Sequence, residues 1–515
     1  MARLPTKRRR TDRAGNTLVI GAPNEDDLPS ARTTSTITST AYSTRSVQPS
    51  HVPALTTLCA RAFIHSLKLL TNGGNWESQK QWLEHLPDHI VPRLFAMMRA
   101  EVPDALTSPF MTTYLLRGPS ITLTSELLHV KKATVEAVGR VGAELTDLEI
   151  TGQASIPEST WVQLFKKLPS LKKLNLRGCT KVDANVVATI SRSCRLLTSV
   201  NLNQTSATPA SIAALVLACR DIEVLKLAGI QPNWTDAAFA RFLSAVNETE
   251  GFELVKLRNL KLRQLGLGDA SLHPLLKMVP NLNRLDLSFT GIRHLPKVDP
   301  DFSIPPLEKL SLTSTMVFTD DVLTAMEHLP RLKTLNLGAL GASQGRASLS
   351  NSSALTMTPA MLRELTSILA ERCPDLEVVS LVGNTKLGMG SRDPAVRDFI
   401  AQVGRRCKTL NMAAIPGLRS GDLAGLLSEG EGPPRIETLN LSNTSVDDEA
   451  AQYISCCESL QTLEVAGTKF TPAGLFPIID ACEKLQTLDL TSCRGIKTVD
   501  RRRFFEVWES EWRNR

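Results

Sequence analysis

Apolar and polar positions along most of this chain follow one signature: a leucine, two variable residues, a leucine, one variable residue, a leucine. Leu171–Lys172–Lys173–Leu174–Asn175–Leu176 is a clean copy, and Leu485–Gln486–Thr487–Leu488–Asp489–Leu490 is another. Thirteen stretches follow it, with the fourth position at Leu148, Leu174, Val200, Leu225, Leu265, Leu285, Leu310, Leu335, Val379, Leu410, Leu439, Leu463 and Leu488. Most intervals are 24–26 residues, with long ones of 40 (Leu225 to Leu265) and 44 (Leu335 to Val379) and a short one of 20 after Leu265. A degenerate earlier copy sits at Ser120–Ile121–Thr122–Leu123. Alternation with period two predicts a short strand in each unit. The segment after it has helical spacing, as in Pro209 to Cys219. Thr208–Pro209, Thr358–Pro359 and Thr471–Pro472 each set a capping hydroxyl before a first-turn proline, and Thr319–Asp320–Asp321 brings acidic charge to a helix start. The pattern predicts an α/β solenoid, a curved horseshoe with parallel strands on the concave face and helices on the convex one. No unit buries its apolar face alone, so stability must come from stacking neighbours.

Two polar positions recur with the leucines. Three residues past the last template leucine stand Cys179, Thr205, Thr290, Thr315, Asn384, Thr444, Thr468 and Cys493. A buried polar side chain there can bond backbone groups released where the strand turns away. Cys194, Cys219, Cys373, Cys457 and Cys482 fall at the end of the helical half, just before the next template. In this the chain resembles, over roughly residues 120–495, the cysteine-containing leucine-rich-repeat family found in F-box proteins, fungal Rad-seven-like repair proteins and mitotic-exit antagonists. The resemblance implies the fold. It leaves the partner open, because such repeats serve many.

Composition narrows the classes. Aromatic residues make up 5 % of the 515, as expected where leucine fills a core. No apolar run reaches the length of a membrane span, and the Arg-rich N-terminus lacks the apolar stretch of a secretory leader. Ten cysteines without framework spacing point to free thiols in a reducing compartment. Net charge is +7, of which residues 1–50 carry +4, so a basic, nucleic-acid-coating surface along the repeats is not expected.

Residues 1–50, rich in Ser, Thr, Pro and Arg, are expected to be disordered. Their cluster Lys7–Arg8–Arg9–Arg10 has the form of a nuclear import signal. Residues 51–119 are apolar and helical but lack the repeat. There, Leu55, Cys59 and Phe63 recur at four-residue steps, which places them on one helix face extended by Leu58. This segment resembles the elongin C-binding BC-box, although Ala54 stands where that box usually has Ser, Thr or Pro. Leu86–Pro87 resembles the start of the second helix of a SOCS-box or F-box-like module. The simpler reading of 51–119 is a cap over the end of the repeats.

Gly338 to Thr356 and Ser428 to Pro434 are expected to be surface insertions. Phe504, Phe505, Trp508 and Trp512, within residues 496–515, share a helix face expected to cover the last repeat. On the concave face, Lys172, Lys173, Asn175, Lys226, Arg263, Arg284, Lys309 and Lys333 form a largely basic stripe, and the last third is more acidic. Such a wall suits an acidic or phosphorylated protein segment. No P-loop, dinucleotide fingerprint, HExxH or CxxC motif is present, so no catalytic residue, metal or cofactor is expected. The expectation is a non-catalytic substrate-recognition subunit of a cullin-type ubiquitin ligase, docked through elongin C or the Skp adaptor, nuclear, monomeric within a complex and, by its resemblance, linked to DNA repair. A scaffold without a ligase link is the alternative, and a GTPase activator of the RanGAP kind is a remote one.

Overall fold

The computed structural model describes residues 41–45, 53–72, 76–232, 234–248, 251–342, 349–389, 393–427 and 432–513. All lie within one compact unit, Thr33–Arg515. Its strands in chain order are β1 Tyr42–Thr44, β2 Ser120–Leu123, β3 Asp147–Ile150, β4 Lys173–Asn175, β5 Ser199–Asn201, β6 Val224–Lys226, β7 Asn259–Lys261 and β8 Arg284–Asp286. They continue as β9 Lys309–Ser311, β10 Thr334–Asn336, β11 Val378–Ser380, β12 Thr409–Asn411, β13 Thr438–Asn440, β14 Thr462–Glu464 and β15 Thr487–Asp489. Strands β2 to β15 form one parallel sheet in chain order, each pairing with the next. The degenerate copy is therefore a true first unit, with Ile121 in register with Leu148.

Template leucines enter the core because alternate strand residues point to one side. Leu171, Leu174 and Leu176 are buried, as are Leu485, Leu488 and Leu490. The helical returns pack side by side along the opposite wall. Thr208, Thr358 and Thr471 cap them as expected, their hydroxyls accepting from the N–H of Ser211, Met361 and Ala473 at 3.4, 3.2 and 3.2 Å.

After each strand from β3 onward the chain turns through one residue of left-handed conformation, two places past the last template leucine. Gly152, Gly178, Gly229, Gly383 and Gly467 occupy it in five units, and Gln204, Gln264, Phe289, Ser314, Ala339, Ala414, Asn443 and Ser492 in the others. The turn aims that residue's N–H at the following unit: Gln204 donates to Ala228 O at 2.8 Å, Phe289 to Thr313 O at 2.8 Å, Asn443 to Ala466 O at 2.6 Å. At Gly467 (φ +69°) a Cβ would meet Asn443 Oδ1 at 2.6 Å, so here glycine favours the conformation and also leaves room for that side chain.

The next residue closes the turn. Thr205, Thr290, Thr315, Thr444 and Thr468 each donate to the carbonyl of the last template residue, Leu202, Leu287, Leu312, Leu441 and Val465, at 2.6–2.7 Å. Asn384 Nδ2 donates to both Leu337 O and Leu381 O at 2.9 Å. Cys179 Sγ reaches Ile150 O at 3.2 Å, and Cys493 Sγ reaches Val465 O at 3.1 Å. The helix-end cysteines form a second ladder: Cys194 Sγ to Leu168 O at 3.3 Å, Cys219 Sγ to Cys194 O at 3.5 Å, Cys482 Sγ to Cys457 O at 3.5 Å. All ten cysteines are free. Burial pushes the Cys194 and Cys482 thiols up to about 12, which leaves them protonated and unreactive.

Two expectations are corrected here. Leu265 is not the fourth position of its unit. Strand β7 pairs Leu260 with Leu225 on one side and Leu285 on the other. The sequence LRNLKLRQLGL satisfies the template twice, from Leu257 and from Leu262, and the sheet selects the first. That choice restores a 25-residue step to Leu285 in place of 20, in register with the neighbouring units. Nor is all of 1–50 without structure. Tyr42–Thr44 pairs antiparallel with β15, Tyr42 opposite Asp489. Arg45 Nη1 donates to Glu483 O at 3.0 Å, and its guanidinium lies 4.9 Å from the Phe505 ring centre.

The terminal helix Phe504–Arg513 covers the last repeat through buried Phe504 and Phe505, with Phe504 stacked on Phe476. Trp512, expected on that face, is exposed. Of the insertions, 343–348 and 428–431 lie outside the described residues. Leu340 and Thr356, flanking the first, are fully buried.

Thr444→Val keeps shape and removes the hydroxyl, leaving Leu441 O without its donor. We expect a loss of about 1–3 kcal/mol, measured by denaturant unfolding with hydrogen exchange to localise it. Deleting residues 1–45 removes the bond from Leu490 N–H to Ala41 O. The amide of Leu490 should then exchange faster while those of β3 to β6 stay protected; unchanged exchange at Leu490 would show that β1 contributes nothing to this edge.

Candidate protein-binding surfaces

Two surfaces carry the residues singled out from the sequence. The first is the helical module ahead of the repeats, built from α1 Leu55–Asn72, α2 Trp76–Glu84 and α3 Val91–Glu101. Buried Val91, Leu94, Phe95 and Met98 of α3 pack it onto the first repeats. Arg117, just before β2, clamps the end of α2 by donating to Leu83 O and Glu84 O, both at 2.6 Å. Arg99 of α3 lies beside Glu149 of β3, and burial pulls the guanidinium down and pushes the carboxyl up from their ordinary values. The module therefore caps the array.

Helix α1 has two apolar faces. Ile64 and Leu67 are buried inward, with Ala60 and Phe63 packed half-buried against the same core. Leu55 (75 % exposed), Leu58 (41 %) and Cys59 face outward, and Leu69 (76 %) continues that side about three turns beyond Leu58. The expected single face of Leu55, Cys59 and Phe63 is thus split, because four-residue steps drift around a helix of 3.6 residues per turn. Leu86 also packs inward, whereas Pro87 is exposed.

The second surface is the concave face of the sheet. Lys172 is exposed; Lys173 pairs with Asp147 at 3.0 Å and Lys333 with Glu308 at 3.3 Å. Lys408 and Glu377 join in the same way at 2.8 Å. Each bridge links one unit to the one before it, so part of the basic stripe is balanced by acids of its own sheet. Lys226, Arg284 and Lys309 remain on the strands. Arg263 does not: with β7 at Asn259–Lys261 it falls beyond the strand, its guanidinium 4.7 Å from the Phe289 ring centre. Lys261 takes its place on the face, buried and 4.0 Å from Asp286 of β8.

Template position five serves the frame. Asn175 Oδ1 accepts from Arg177 N–H at 3.2 Å while its Nδ2 donates to Glu149 Oε1 at 3.0 Å. Asn201, Asp286, Asn411, Asn440 and Asp489 likewise each accept from the N–H two residues on. The side chain of Asn175 is therefore engaged within the sheet rather than offered to a partner. At the far end, burial and then Asp489 push the Glu464 carboxyl up, and burial with Asp489 raises Tyr42 to about 12.

Fourteen strands in parallel register, left from β3 onward through a left-handed turn and mostly joined by a helical return, admit one description. The fold is a leucine-rich-repeat solenoid. No protein-family model matches the chain, and no curated protein matches it. Solved structures do. The Rad7–Elc1 complex of yeast aligns at 16 % identity over 82 % of this chain and 95 % of that one, with a TM-score of 0.48. An internalin of Listeria monocytogenes aligns at 18 % identity over 71 % and 90 %, with a TM-score of 0.38. A leucine-rich-repeat protein of Leptospira interrogans aligns at 16 % over 75 % and 86 %, with a TM-score of 0.33. Among the described residues, no group of His, Cys, Asp and Glu is arranged to hold a metal ion, and no helix is long and apolar enough to cross a membrane.

A raised carboxyl holds its proton more tightly folded than unfolded, so stability is gained as pH falls through the folded value and lost as pH rises through it. Glu464→Gln removes the charge and keeps an acceptor for Asn440 Nδ2. The variant should melt above the parent at about pH 8, and the difference should shrink as pH falls towards the ordinary glutamate range.

Proposed function

We propose that this chain is the substrate-recognition subunit of a cullin-type ubiquitin ligase, with α1 docking an adaptor of the elongin C kind and the solenoid holding a protein substrate. The observation that carries this reading is the outward side of α1. A helix that only caps needs one apolar face, and α1 meets that need with Ile64 and Leu67. Leu55 and Leu58 are left in water around the small Cys59, a surface suited to close approach by a partner helix. Pro87 is exposed on the following turn, whereas Phe63 and Leu86 support the module from within. The same surface would serve the Skp adaptor if the module is an F-box variant. In this reading the Lys7–Arg8–Arg9–Arg10 run, outside the described residues, directs the protein to the nucleus, where a role in DNA repair would place its substrates.

A scaffold without a ligase link is the second reading. It is favoured by the burial of Val91, Leu94, Phe95 and Met98, which gives the module a capping role in either case.

Pull-down of the full-length protein with elongin C and with the Skp adaptor separates the two. Cys59 is exposed, so Cys59→Arg should leave circular dichroism and melting unchanged while reducing adaptor capture at least about tenfold. Absence of binding to either adaptor removes the ligase reading and leaves the scaffold.

A further inference from the structure

The units around β11 to β13 are longer than the common step, with intervals of 31 and 29 residues between Val379, Leu410 and Leu439. Beside them, at the rim of the sheet, lies a cavity of about 570 Å³. Its lining includes five cations, Lys333, Arg405, Arg406, Lys408 and Arg435, against the two carboxylates Asp375 and Glu377. Glu377 is already engaged by Lys408 at 2.8 Å, and Lys333 by Glu308 at 3.3 Å. Arg406 and Arg435 stand beside Asp375, and Arg405 is engaged in the wall.

These arginines are held from behind. Arg405 and Arg406 are consecutive in the 3-10 turn Gly404–Arg406. Arg405 is 4 % exposed and donates through Nη2 to Gly432 O at 2.6 Å, which fixes one wall. Among the described residues, Nη2 of Arg406 is buried and has no hydrogen-bond acceptor. A buried guanidinium nitrogen without an acceptor is costly, and cations gathered around one concavity repel one another. The repulsion is relieved by an anion with several acceptor oxygens. Guanidinium forks suit the tetrahedral dianion of a phosphate better than a single carboxylate, and the cavity has room for the group that bears it.

We propose that this cavity binds a phosphate monoester, with Arg406 and Arg435 as its direct donors. The site is separate from α1 and stands whether or not α1 docks an adaptor. The phosphate can come from a phosphorylated residue of a protein held on the repeats or from a free small ester, and the two are separable.

The first experiment uses inorganic phosphate as probe, read as 31P line broadening with the full-length protein. Wild type should broaden the signal. Arg406→Gln should weaken binding at least about tenfold, the scale of a lost charge-assisted hydrogen bond. Arg435→Gln, at an exposed position, guards against loss of fold and should also weaken it. Arg220→Gln, which faces the Phe252 ring elsewhere, should not. No broadening with wild type, or equal broadening with Arg406→Gln and Arg435→Gln in folded proteins, overturns the proposal. The second experiment compares a phosphoserine peptide library with glycerol 2-phosphate. Tighter binding of the peptides, lost without their phosphate, assigns the ester to a protein; equal binding assigns it to a free small molecule. Failure of both to compete with inorganic phosphate overturns the site.

Discussion

From β3 onward every repeat of this protein leaves its strand through a left-handed residue, and the solenoid depends on that turn. It aims one backbone N–H at the next unit and returns the chain towards the convex wall. For the eight units without glycine there, the conformation costs on the order of 1 kcal/mol each. What offsets it is local: a carbonyl of the following unit receives the N–H in each but the last, and after Gln204, Phe289, Ser314 and Asn443 a threonine one residue on satisfies the strand's last carbonyl. The array is therefore stabilised by nearest neighbours, and variation in interval length is absorbed between turns rather than within them.

This explains what could be read in the sequence. Leucines at fixed spacing, capping threonines before prolines and a polar residue three past the template all answer to one backbone geometry, so each was visible. Leu265 was misplaced because two overlapping templates both satisfy the apolar pattern. The 20-residue step it produced was the available warning, and Arg263 was carried onto the concave face with it. The split of α1 into two faces was hidden because Phe63 lies between them. Arg405 and Arg406 escaped notice because they stand outside the template, just before its first position at Cys407.

The two surfaces differ in kind. The outward side of α1 is apolar and lies before the repeats, where it does not interrupt the stack. The rim cavity is cationic and lies beside repeat intervals that exceed the common length. Between them the concave strands are largely committed to the sheet: position five braces the backbone, and several lysines are matched to carboxylates one unit away. Recognition chemistry therefore concentrates where the repeat is broken or extended, and the regular units set the distance between those places.

The short antiparallel strand at Tyr42–Thr44 also imposes an order in time. Arg45 and its acceptor Glu483 are 438 residues apart in sequence. The ribosome releases Tyr42 before any repeat has been made, yet its partner strand is the last of the array to emerge. The repeats can fold one after another as they appear, whereas this strand must wait without a partner until β15 is made. A product that stops before Thr487 leaves it unpaired, so pairing of the first strand with the last marks a chain whose repeats are all present.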